Sequence, residues 1–213
     1  MRIFSLNIGQ PRLNPGPRGP YRSAINRRPV PGPVGVGSAG LEGDRPADLR
    51  HHGGPEMAVC CYPHEHYRPM ATFLASPLAI PAFGENFTTE GLLETVACIG
   101  DVLAIGSALL QISKPREPCA TLARKHDRPD LVRRILESGH CGFYLRVLEA
   151  GEVRRGDTIT LRDRPHPSAT VASTLAAMTD GNASRDLLER MAGLDHLSPP
   201  WQTRLHKRLE QRR

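Results

Sequence analysis

Cys119 follows "QISKPREP" (111–118), where a run of β-prone residues gives way to Lys114, Pro115, Arg116, Glu117 and Pro118. Cations beside a thiol favour its thiolate when the side chains converge, and the prolines stiffen the turn that carries the sulfur. A thiolate is a soft donor, suited to softer metals or to direct nucleophilic attack. Inert burial is the commonest fate of a lone cysteine. The charged neighbours argue against that fate here, and no cysteine-protease signature surrounds the residue.

Three further stretches concentrate chemistry. "LEGDRPADLRHHGGPEMA" (41–58) crowds Asp44, Asp48, His51, His52, Gly53 and Gly54 into one loop. Paired glycines let a backbone approach a ligand closely and present N–H groups to an anion; an ordinary polar loop is the plainer alternative. "YPHEHY" (62–67) places His64 and His66 near Cys60 and Cys61. Zinc is disfavoured there, because adjacent cysteines chelate a tetrahedral ion poorly and the two histidines would diverge by roughly 200° on a helix. "AFGENFTTEGLLE" (82–94) puts Glu85 and Asn86 at a turn. Asn86 either satisfies its own backbone there or reads the edge of a heterocycle.

Positioning these groups requires a scaffold, and the pattern is that of short strands. Residues 3–8 alternate. "DVLAIGSALLQIS" (101–113) holds two β-prone runs around Gly106-Ser107, as a tight hairpin requires. "FYLRVLEAGEVRRGDTITLRD" (143–163) repeats that plan, while Gly9–Gly19 reads as a loop and "VGVGSAGLEGD" as a weak strand and turn. One helix is expected over 129–138, with Pro129 in its first turn and Gly139 capping its end. Pro63 is placed in the first turn of another, carrying His64 and His66. After residue 167 the character becomes helical, with Thr170, Ser184 or Asn182, and Ser198 as caps of three short amphipathic segments. Residues 1–167 are therefore assigned to a β-rich domain and 168–213 to a three-helix extension that packs together or on the first part.

Composition bounds the function. The chain has 213 residues, 39% of them apolar, 40 glycines and prolines together, and a net charge of +6. Basic residues gather at both ends, Arg12 to Arg28 and Arg204 to Arg213. That balance attracts phosphates or acidic partners, but no ribonucleoprotein motif or finger spacing supports nucleic acid as the partner. Five cysteines without a C-x-x-C pair suit a reducing compartment. The N-terminal stretch lacks an apolar signal core, and no apolar run reaches membrane-spanning length, so a cytoplasmic location is expected.

Taken in order, "SAINRRPV", "LEGDRPADLRHHGGPEMAVCCYPHEHY", "AFGENFTTEGLLE", "IGDVLAIGSALLQISKPREPC" and "GFYLRVLEAGEVRRGD" resemble the MOSC domain, the module related to the C-terminal part of molybdenum cofactor sulfurases. The tail "LSPPWQTRLHKRL" is similar to that of the single-domain, YiiM-like branch. The resemblance implies a mainly β fold, a largely antiparallel β-barrel with a few helices and a helical C-terminal extension. It implies a molybdenum cofactor (molybdopterin) whose metal is ligated by Cys119. Ser23 and Arg27 match a pair expected near the pterin phosphate. His52, Gly53 and Gly54 match a His-Gly-Gly motif, Asn86 a Gly-Glu-Asn motif, and Arg116 the arginine preceding the cysteine. The chain departs from the family pattern at Arg27 for Lys, Pro46 for Gln, Glu56 for Asp and Ala120 for an aromatic residue. Arginine still binds phosphate, whereas Ala120 would widen the pocket and alter substrate preference.

The activity implied is reduction of N-hydroxylated compounds, hydroxylaminopurines and amidoximes, with Cys119 and His52 as catalytic residues. Electrons would come from a separate flavin or iron–sulfur protein, since neither motif is visible. The alternative is a sulfur- or cofactor-carrier using the same cysteine without turnover.

Overall fold

The computed structural model describes residues 1–50 and 52–212; His51 and Arg213, both named above, lie outside the described residues. The first strand, β1 (Arg2–Ile8), buries Ile3 and Leu6 on either side of a register shift between Ile3 and Ser5. An extra residue there lets apolar side chains stay inward while the strand bends. After it come β2 (Arg12–Asn14), β3 (Tyr21–Ser23), β4 (Arg28–Pro29), β5 (Val34–Gly37), β6 (Gly40–Leu41) and β7 (Val59–Pro63). Helix α1 (Tyr67–Leu74) crosses over to β8 (Phe87–Glu90), so β7 and β8 run parallel. A crossover helix is what joins parallel neighbours. Next are β9 (Val102–Ile105), β10 (Ala108–Pro115), α2 (Ala120–Lys125), α3 (Leu131–Ser138), β11 (Phe143–Glu149), β12 (Gly151–Val153) and β13 (Ile159–Asp163). The chain ends with α4 (Val171–Thr179), α5 (Arg185–Ala192) and α6 (Pro199–Glu210).

Eight strands form one sheet in the order β13-β9-β10-β11-β7-β8-β1-β4. It curls until β1 meets the start of β13. Ile3 N–H donates to Asp157 O at 2.9 Å, Ile159 N–H to Met1 O at 2.9 Å, and Arg2 bridges Thr158. Edges that would otherwise be unpaired satisfy each other. The fold is the mainly β architecture expected, with six α-helices among the described residues. Phe83, Phe87, Phe143 and Tyr62 fill the core with the aliphatic residues of the facing strands. None of the helices is long and apolar enough to cross a membrane, among the described residues.

The β9–β10 hairpin turns at Gly106, whose φ of +59° and closeness to Glu152 O leave no room for a side chain. The 129–138 segment is helical as expected, over Leu131–Ser138, with left-handed Gly139 at its end. Thr170 Oγ1 accepts Ser173 N–H at 3.0 Å and Ser184 Oγ accepts Leu187 N–H at 3.2 Å, capping α4 and α5. Ser198 precedes α6 but makes no side-chain cap.

Three expectations are corrected. The Gly9–Gly19 loop contains β2, which pairs with β3; its Pro and Gly content masked a short hairpin. The 143–163 segment is not a second hairpin. β11 pairs with β10 and β7, β12 with β5, and β13 with β9. Turn residues specify a reversal, not the partner strand. Pro63 closes β7 at φ −64° and ψ 132°, and His64–His66 form a 3₁₀ turn before α1. Proline's fixed φ suits a strand end as well as a helix start.

The C-terminal helices are tied to the sheet by main-chain bonds. Ile99 N–H donates to Ala169 O and Val171 N–H to Ala97 O, both at 2.8 Å, and Ser198 N–H donates to Ser113 O at 2.9 Å. Beside them Arg164 grips fully buried Asp101 through Nε at 2.8 Å and Nη2 at 2.7 Å. Removing one member of such a pair strands a buried charge. Arg164→Met should therefore lower unfolding free energy by about 2–4 kcal/mol, and the double variant Arg164→Met/Asp101→Leu should lose less. Urea denaturation of both variants tests this; equal losses would mean that packing, not the ion pair, dominates.

Candidate functional site

Cys119 occupies the N-cap of α2, just after the turn that ends β10. Its thiol is partly exposed, whereas Cys60, Cys61, Cys98 and Cys141 are buried. It faces a cavity of about 210 Å³ enclosed by the 22–27 segment, the 44–58 loop, the Gly84–Asn86 turn and the Arg116–Thr121 turn. Burial alone would push the thiol's pKa up. A hydrogen bond with His52, the nearby Arg116 guanidinium and the Leu122 N–H outweigh it and hold the pKa at about 6. The sulfur is thus largely thiolate at neutral pH.

Arg116 is buried, with 6% of its surface exposed. Its backbone N–H donates to Gly142 O at 3.0 Å, and Nη2 donates to Phe83 O at 2.5 Å. Burial opposes its charge, but the Cys119 thiolate and the Glu85 carboxylate nearby favour it, and the guanidinium stays charged. On the other side Arg27 forks onto Asp44, Nε to Oδ1 at 2.8 Å and Nη2 to Oδ2 at 2.7 Å, while Nη1 donates to Gly84 O at 2.5 Å. Three of its N–H groups are committed to protein acceptors, and its charge is matched by Asp44.

The His52 loop is fixed at both ends. His52 N–H donates to Asp48 O at 3.0 Å. Beyond the glycines, the short Pro55–Met57 turn is held by Ser113 Oγ, which donates to Glu56 O at 2.6 Å, and by Arg146, which reaches Glu56 Oε2 at 2.6 Å. Gly53 lines the cavity at φ +98°, where a Cβ would come within 3.1 Å of Pro46. Gly54 is exposed and does not line the cavity.

Ser23 lines the cavity, and its Oγ accepts Ile25 N–H at 3.1 Å. Asn86 also lines it, but as a brace. Its Oδ1 accepts Cys60 N–H at 3.1 Å and its Nδ2 donates to Asn7 O at 3.3 Å, which ties β7 to β1. Of the residues singled out from sequence, Ser23, Arg27, His52, Gly53, Asn86, Arg116 and Cys119 therefore meet around one hollow, and Gly54 stands outside it.

Sequence reasoning missed Tyr144 and Cys60. They pair across β11 and β7, and Tyr144 pairs with Lys114 of β10, whose ammonium lies 5.2 Å from the Tyr144 ring centre. The signal was available: a polar residue flanked by Phe143 and Leu145, and Cys60 between Val59 and Cys61, point to the face opposite the core. Burial raises the pKa of both, most strongly Tyr144, so both are protonated at neutral pH. Among the described residues no group of three or more His, Cys, Asp or Glu side chains is arranged to hold a metal ion. His64 stacks on Phe4, and His66 Nε2 bonds Glu94 Oε2 at 2.7 Å.

Comparison with known proteins agrees with this geometry. The MOSC domain model matches residues 48–160, and a YiiM-like 3-alpha helix domain model matches residues 170–212. The chain is 37% identical over 206 residues to the uncharacterized protein YflK of Bacillus subtilis, covering 97% of this chain and 93% of that protein. It is 34% identical over 177 residues to a protein named "Reductase" from Gibberella moniliformis, covering 80% of this chain and 31% of that longer protein. The crystal structure of YiiM from Geobacillus stearothermophilus superposes with a TM-score of 0.83 at 33% identity, covering 98% of each chain. A chain with this barrel, this helical tail and these matches belongs to the MOSC domain family, in its YiiM-like branch.

Proposed function

We propose that the protein is a molybdenum-cofactor-dependent reductase of N-hydroxylated compounds such as hydroxylaminopurines and amidoximes. The observation that carries this reading is Cys119: a partly exposed thiolate beside a buried guanidinium, in the same cavity as the His52 loop. Membership of the MOSC family and the name of the fungal relative support it.

The residues present suit the cofactor. Cys119 offers one soft ligand, and among the described residues no group of three or more His, Cys, Asp or Glu side chains is placed to hold a metal, so a metal held there would take most of its ligands from an organic group. Gly53 keeps the wall opposite free of a side chain, and Arg116 supplies fixed positive charge toward an anionic group. Arg22, exposed at the rim, is better free to meet a phosphate than Arg27, which Asp44 occupies. When bound, the cofactor supplies two-electron oxygen-atom chemistry, taking R–NHOH with two electrons and two protons to R–NH2 and water. One His52 ring nitrogen engages the Cys119 sulfur, leaving the other to relay a proton at the cavity. The protonated Tyr144 phenol offers a hydrogen bond to a heteroaromatic substrate. Ala120, where the family has an aromatic, is exposed and does not itself line the cavity. The electrons come from a separate redox protein.

Anaerobic expression with molybdate, then assay with a reduced viologen dye and a hydroxylaminopurine, tests the assignment. Cys119→Ala should reduce kcat/KM by more than about 100-fold, or about 2.7 kcal/mol of barrier, with an unchanged unfolding curve. Turnover equal to wild type would remove the mechanism. A persulfide on Cys119 without metal or pterin would instead identify a sulfur carrier.

Thiol chemistry gives a cofactor-independent check. Iodoacetamide should modify Cys119 first, with a rate that rises with pH through an inflection near 6. His52→Ala removes a hydrogen bond to the thiolate and should move that inflection upward, toward an ordinary thiol. An inflection above 8 in the unmodified chain would contradict the site electrostatics.

A further inference from the structure

The basic residues of α6 are not spread around the helix. Arg204, Lys207 and Arg208 of α6, with neutral Gln211 and then Arg212 just past its end, recur at i, i+3, i+4, i+7 and i+8, and with Met178 they line a second hollow of about 430 Å³. Glu210 lies about 130° from the centre of that stripe at ~100° per residue. Among the described residues no carboxylate lines the hollow. Arg208 donates to Met178 O and Asp180 O, and Arg212 to Ala183 O and Gly181 O, so both bond carbonyls at the end of α4 and bring no neutralising charge. The Asp180 carboxylate turns to Asn182 N–H at 2.8 Å. Lys207 is exposed and forms no ion pair among the described residues.

This face adjoins the Cys119 cavity. Arg204 Nη1 bonds both oxygens of Glu117 at 2.8 Å, and Glu117 lines that cavity two residues before the sulfur. Exposed pairs of this kind exchange partners at little cost.

We propose that the basic face of α6 is the docking surface for an acidic electron-donor protein carrying a flavin or an iron–sulfur cluster. The inference rests on the reductase reading, which requires electrons from outside the chain, and it commits to a protein. Four cations around one concavity, one of them paired with Glu117 of the substrate cavity, present a complementary charge to an acidic donor and bring its redox group close to Cys119.

Lysine content makes the test selective. Lys114 and Lys125 are partly buried and Lys207 is the one exposed lysine of the three in the chain. An acidic flavodoxin and an acidic plant-type ferredoxin serve as probes. At low salt at least one should bind, and carbodiimide coupling should join its carboxylates to Lys207. Lys207→Glu/Gln211→Glu should weaken that binding at least about tenfold and slow donor-driven reduction, leaving dye-driven reduction unchanged. The proposal is overturned if neither probe binds, if binding survives the double variant, or if coupling maps to Lys114, Lys125 or the N-terminus. It is also overturned if duplex DNA or anionic vesicles bind more tightly than both probes and lose binding in the same variant. Donor binding that persists in a protein unable to reduce N–O bonds would sink the reductase reading and leave the surface standing.

Discussion

Two guanidinium groups hang from adjacent carbonyls, Arg116 on Phe83 O and Arg27 on Gly84 O. The site depends on that turn. A charged side chain as buried as Arg116 survives only with its donors satisfied and negative partners nearby. Glu85, fully buried beneath the turn, accepts Phe83 N–H at 3.1 Å, Thr88 Oγ1–H at 2.8 Å and the Tyr67 hydroxyl. Its carboxylate therefore orients the carbonyls that receive both arginines. Arg116 then sets the electrostatics of Cys119, and Arg27 ties the 44–52 loop to the barrel through Asp44.

That arrangement explains how the Gly-Glu-Asn motif shapes the site. Glu85 shapes the turn from below and Asn86 stitches β7 to β1. Of the alternatives open from sequence, that Asn86 satisfies backbone or reads a heterocycle, the backbone role is occupied, though by neighbouring strands and not by its own turn. A turn motif shows which residue types stand together, but not the distant donors and acceptors they serve.

The legible part of the fold was local. The β9–β10 hairpin, the 131–138 helix and the caps at Thr170 and Ser184 each follow from residues within one turn of chain. Long-range pairing was not legible. β11, β12 and β13 are consecutive in sequence yet join three different parts of the molecule, because hydrophobic alternation fixes a strand's face and not its neighbour. The site divides the same way. Cys119, Arg116 and His52 were visible as residue types suited to chemistry. Alternation marked the face that Tyr144 and Cys60 occupy, but their meeting across β11 and β7 is set by strand register, and the Arg27–Asp44 fork, formed across seventeen residues of chain, leaves no periodic trace.

The helical tail acts on the site through the barrel wall. Arg146 on β11 donates through one nitrogen, Nη2, both to Glu56 Oε2 and, at 2.7 Å, to His196 O in the α5–α6 connection. Ser113 on β10 bonds the Glu56 backbone through its hydroxyl and Ser198 N–H through its carbonyl. Glu56 is thus the point where the strands, the connection to α6 and the His-Gly-Gly loop converge. Its extra methylene relative to the aspartate common in the family lengthens the reach from the turn to Arg146. Loosening the helical tail would release Arg146 and Ser113 together, free the Pro55–Met57 turn, and let His52 drift from the sulfur it holds. The C-terminal helices and the Cys119 cavity are therefore one mechanical unit, coupled through Arg146, through Ser113 and through the Arg204–Glu117 pair at the cavity edge.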